Sequence, residues 1–82
     1  MKKIFGTSGV CANAIDIEVE NGIIKNVRFD GGCDGNLKGM SRLVTGMEVN
    51  DAIDRLKGIT CGRKSTSCPD QLAKALEQMA QE

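Results

Sequence analysis

Ile15, Ile17 and Val19 alternate with Asp16, Glu18 and Glu20, the period-two pattern of a strand that buries one face. Asn21-Gly22 follows and signals a hairpin. A two-residue Asn-Gly loop pairs Glu20 with Ile23 and strands Val27 and Phe29 beside Asp16 and Glu18. A three-residue loop, Glu20-Asn21-Gly22, instead pairs Val19 with Ile23 and Ile15 with Val27, with Gly22 at the left-handed position of a type I turn plus G1 bulge. The second register keeps the apolar residues on one face and is the one expected, with Lys25 as its misfit. Lys3 to Thr7 reads as a third, edge strand, short and lysine-bearing.

The period changes after the cluster Gly31-Gly32-Cys33-Asp34-Gly35. Leu37, Met40, Leu43 and Val44 form a helical stripe closed by Gly46, and Val49, Ala52, Ile53 and Leu56 form another closed by Gly58. Ser67 is a good N-cap with Asp70 in the capping-box position, Pro69 fits the first turn, and Leu72, Ala75, Leu76 and Met79 mark the buried face of a last helix. Strands followed by helices predict an α+β fold, a small antiparallel sheet of about three strands with helices packed on one face. Residues 1–82 read as a single domain, without linker, repeat or low-complexity segment.

With 82 residues and only Phe5 and Phe29 as aromatic bulk, the core is small and a staple is expected. Lys plus Arg and Asp plus Glu balance at 11 each, and no basic run exceeds two residues, so nothing points to nucleic acid or to a membrane surface as partner. The basic start Met1-Lys2-Lys3 runs into Gly6-Thr7-Ser8-Gly9 rather than an apolar stretch, and no run is long enough to span a bilayer. A cytoplasmic location is therefore expected. In a reducing compartment the four cysteines are metal ligands or redox groups before they are structural disulfides.

Those cysteines all fall at element ends. Cys11 precedes the central strand, Cys33 lies in the glycine turn, Cys61 follows Gly58, and Cys68 opens the last helix, where unpaired N–H groups and the helix dipole favour thiolate. No CxxC knuckle is present, and each cysteine alone reads equally well as a small buried hydrophobe. Together, beside glycines or a cap and in a chain with no histidine, they read as one site with Cys11, Cys33, Cys61 and Cys68 as ligands to zinc or to an iron–sulfur cluster. A Cys61–Cys68 couple, as disulfide or redox relay, is the alternative. Arg63 and Lys64 would balance the negative charge of four thiolates. The run Gly62-Arg63-Lys64-Ser65-Thr66 lacks the glycine that a phosphate loop places directly before its lysine. No acid/base pair is evident, so the chain is not expected to catalyse a reaction alone.

Thr66-Ser67-Cys68-Pro69-Asp70 is the pentapeptide that names the TSCPD domain family, and the chain resembles that family over nearly its whole length. The resemblance also runs through Gly9-Val10-Cys11, Gly31-Gly32-Cys33-Asp34-Gly35-Asn36-Leu37, Leu56-Lys57-Gly58-Ile59 and Cys61-Gly62. The family occurs as small free-standing proteins and as a C-terminal module of adenosylcobalamin-dependent ribonucleotide reductases. The resemblance thus implies an accessory domain with a ribonucleotide reductase as partner, and the catalytic machinery of such an enzyme does not fit in this chain.

A more distant likeness is to the U-type iron–sulfur cluster scaffold, whose three ligands are similar in place to Cys11, Cys33 and Cys68. Several departures set the chain apart. Asn13 stands where the scaffold has an aspartate and Ser67 where it has a histidine, while Cys61 is an added thiol. These changes fit a stable site better than one that hands clusters on.

Overall fold

The computed structural model describes residues 1–7, 12–32, 34–60, 62 and 66–81. Three strands, β1 (Lys2–Gly6), β2 (Ala12–Glu20) and β3 (Ile23–Gly31), precede three helices, α1 (Asp34–Val44), α2 (Val49–Leu56) and α3 (Cys68–Ala80). The strands form an antiparallel sheet in the order β1-β2-β3, giving the α+β architecture expected.

The hairpin register differs from the expected one, and the difference has a simple cause. Glu20 pairs with Ile23 and Val19 with Ile24 around a two-residue Asn21-Gly22 loop, both residues having positive φ (54° and 76°). That is the turn an Asn-Gly pair favours, because its twist matches that of the strands. The register then slips by one residue opposite Glu18 and Val19, so Lys25 is the bulged residue and Glu18 pairs with Asn26. After the bulge Ile17 faces Val27 and Ile15 faces Phe29. The expected pairs, Val19 with Ile23 and Ile15 with Val27, are not formed. One bulge at Lys25 lets the tight turn and a single apolar face coexist.

That face carries Ile15, Ile17, Ile24 and Val27, which meet Val44, Val49, Ala52, Leu72, Ala75, Leu76 and Met79 from the three helices in one core. The opposite face bears Asp16, Glu18, Asn26 and Arg28, and the core that the three helices share lies on the other side. Along α1, Leu37 and Val44 are buried and Met40 half-buried, but Leu43 is 79% exposed, so it does not belong to the inward stripe. Leu37, Met40 and Val44 follow the spacing of one helix face, and Leu43 lies beyond its edge.

At the hairpin end main-chain hydrogen bonds lock the layers. Ile24 N–H donates to the Met47 carbonyl (2.9 Å), Gly46 N–H to the Ile24 carbonyl (2.7 Å) and Val49 N–H to the Gly22 carbonyl (2.9 Å). Helix α2 therefore starts against the turn without a side-chain cap.

Candidate functional site

Of the four expected ligands, Cys68 is within the described residues: it is the first residue of α3 and half-buried. Cys11, Cys33 and Cys61, with the expected counter-charges Arg63 and Lys64, lie outside the described residues. Among the described residues there is no group of three or more metal-ligating side chains.

The segments beside these positions are well defined. Ala12 pairs with Gly31, and a register shift between Ala12 and Ala14 leaves Asn13 as an extra residue, so Ala12 is buried and Asn13 exposed. Gly32 has φ +85°, and a methyl group placed on it would lie 2.6 Å from Leu37 Cδ1 and 3.1 Å from the Ala12 nitrogen. No other residue type fits there without displacing its neighbours. The glycine cluster thus does more than turn the chain: it brings the end of β3 against the start of β2.

A second junction forms around Asp70. Its side chain was expected to complete a capping box, and half of that box is present: Ser67, in extended conformation, accepts a hydrogen bond from Asp70 N–H through Oγ at 3.2 Å. The carboxylate itself reaches across to another segment. Gly58 N–H donates to Oδ1 (2.8 Å), Thr66 Oγ1 donates to Oδ2 (2.6 Å), and Lys74 lies 3.2 Å from Oδ2, one helical turn on. Ser67 Oγ in turn donates to the Ile59 carbonyl (2.6 Å), and Gln71 Nε2 donates to Thr66 Oγ1 (3.0 Å).

Asp70 is 3% exposed, yet its surroundings favour the charged form. The Thr66 hydroxyl and then the Gly58 N–H hold its carboxyl below the usual carboxylate range; burial opposes them, and Lys74 adds to them. Asp70 and Thr66 were not singled out as structural ties by the sequence, since the partner of the carboxylate, Gly58, is a main-chain group on a different element. A capping motif predicts local bonds only.

Met79 and Ala80 line a cleft with Val19, Gly22 and Ile23, which fixes the C-terminal end of α3 at the hairpin. Thirteen residues at about 1.5 Å each carry Cys68 to the far end of the helix, away from the hairpin. Chemically the described part of this end offers one thiol on a pinned helix start, a buried carboxylate fully engaged by donors, and main-chain groups presented by glycines. It holds no pair of groups arranged for proton transfer.

A family model for the TSCPD domain matches residues 2–80, nearly the entire chain. No curated protein and no solved structure matches it.

Proposed function

Because the chain belongs to the TSCPD domain family, we propose that it is a cysteine-liganded accessory metal domain, with Cys11, Cys33, Cys61 and Cys68 as ligands and a ribonucleotide reductase as its partner. The observation that carries this reading is the approach of Gly32 to Ala12, which are the chain neighbours of Cys33 and Cys11. Support comes also from the Asp70 and Ser67 bonds, which tie the start of the Cys68 helix to Gly58 and Ile59, the segment that leads to Cys61. Four thiolates and no histidine suit tetrahedral zinc or an iron–sulfur cluster, and the donor set fits either. Zinc would supply a cross-link between element ends, and a cluster would add the capacity to carry an electron. The reductase link rests on the family's occurrence as a C-terminal module of such enzymes.

The test is anaerobic purification, metal analysis and an absorption spectrum, followed by alkylation and mass spectrometry with and without chelator. All four cysteines should be protected together and exposed together, since one ion or cluster holds them. Cys68→Ser should lower bound metal, and chelation should lower the Tm of the parent protein but not that of the variant. Selective labelling of Cys61 and Cys68 in untreated protein would replace this reading with a thiol relay between those two residues.

A further inference from the structure

Strand β1 is an outer strand of the sheet, and its far edge is free. Val19 N–H donates to the Met1 carbonyl (2.8 Å) and Thr7 N–H to the Asn13 carbonyl (3.1 Å), so Met1 and Thr7 turn their main-chain groups toward β2. Lys3 and Phe5, paired with Ile17 and Ile15, share that direction, because it repeats at every second residue of an antiparallel ladder. Lys2, Ile4 and Gly6 therefore direct N–H and C=O outward. All three are exposed, Ile4 to 75%, and among the described residues no main-chain bond reaches their outward groups.

The side chains of Lys2 and Ile4 lie on the face of the sheet away from the helices. There Ile4 pairs with Asp16, which pairs in turn with Arg28, while Lys2 reaches Glu18 at 4.0 Å. An isoleucine in this polar row contributes nothing to the core of its own chain. Beside it the edge has room, since a methyl group placed on Gly6 would meet nothing within 4 Å.

We propose that β1 pairs edge to edge with β1 of a second copy of the chain, antiparallel about a twofold axis at Ile4, joining the two sheets into one continuous sheet. The two Ile4 residues exchange main-chain bonds with each other, and Lys2 exchanges them with Gly6 of the second copy. The Ile4 side chains then cover one another across the axis, Lys2 faces a residue without a side chain, and Lys3 lies opposite Phe5 of the second copy. The lysines, which guard an edge against indiscriminate pairing, select this register. Centring the axis on Lys2 or Lys3 sets like charges directly opposite, and centring it on Phe5 carries Lys2 past the end of the second strand and sets Ile4 against a bare glycine. A seam of 5 residues from each copy buries less surface than a permanent dimer needs, so the association is weak and concentration-dependent. It contains no cysteine and is independent of the proposed metal site.

The test is sedimentation equilibrium and amide hydrogen exchange of the whole chain, in reductant, from about 5 µM to about 2 mM, where a dimer with a Kd between about 10 µM and 1 mM is expected. Over that range exchange at the Ile4 and Gly6 amides should slow by about twofold or more, while Lys3 and Phe5, already bonded to β2, change little. Ile4→Lys and, separately, Ile4→Glu, at an exposed position, should weaken dimerisation by about tenfold or more with the circular dichroism spectrum unchanged. An equimolar mixture of the two variants should restore it, because position 4 of one copy faces position 4 of the other and the charges are then opposite. A monomer at about 2 mM, protection confined to amides outside β1, an Ile4→Lys dimer as tight as that of the parent, or no recovery on mixing would each overturn the proposal.

Discussion

At the hairpin end the chain is closed by main-chain bonds: Ile24 with Gly46 and Met47, Gly22 with Val49, Val19 with Met1. Away from it, closure depends on particular side chains and on a missing one: the Asp70 carboxylate, the Thr66 and Ser67 hydroxyls, and the bare Cα of Gly32. Main-chain bonds tolerate almost any sequence, whereas a buried carboxylate or a forced glycine does not. Thr66, Ser67 and Asp70 of the naming pentapeptide, and Gly32 of the glycine cluster, are structural requirements whatever Cys68 binds.

Three substitutions, measured by urea denaturation of chelator-treated protein, test that contrast. Gly32→Ala should have the largest effect, about 3 kcal/mol, because the new methyl meets Leu37 and the Ala12 main chain at a positive φ. A loss below that of Gly22→Ala would mean that the approach of β3 to β2 relaxes freely.

Asp70→Ala should come next, at about 2 kcal/mol, by leaving the Gly58 N–H and Thr66 hydroxyl without an acceptor. It should also change the acid limb. The folded carboxyl titrates below its usual 3.8, so its contribution is complete above that value and is lost as pH falls through the lower folded value. Stability measured from pH 5 downward should therefore fall less steeply in the variant than in the parent. Identical acid limbs would remove Asp70 from the account of this junction.

Gly22→Ala, in open space at φ +76°, carries backbone strain alone and should cost about 1 kcal/mol. A loss as large as that of Gly32→Ala would erase the distinction between the two ends.

Much of this organisation was legible in the sequence because it is local. The alternation of Ile15 to Val19, the helical stripes ending at Gly46 and Gly58, and the Ser67 cap each depend on neighbours a few residues away. The hairpin register was not, because two local rules conflicted there. Asn-Gly asked for a tight turn and the apolar pattern for one more residue, and a bulge at Lys25 satisfies both. Leu43 was misplaced for a related reason, since hydrophobicity alone does not say where a helix face ends. The Asp70 junction was illegible in another way: its decisive partner is the N–H of Gly58, which every residue but proline could offer. For the cysteines the sequence supplies the candidates, of which Cys68 is among the described residues, and the structure adds the meeting of Ala12 with Gly32.

Asp70 has one more consequence, for how the domain can vary. Its two oxygens hold Gly58 on one side and Thr66 on the other, and Ser67 holds Ile59, so the ends of residues 60–65 are joined by groups that do not belong to that segment. Doubling the length of such a segment adds only about 0.6 kcal/mol to the entropy of closing it. The socket of Gly58, Ile59, Thr66, Ser67 and Asp70 is thus fixed by its own bonds, and a longer connection across it would add little to the entropy of closure.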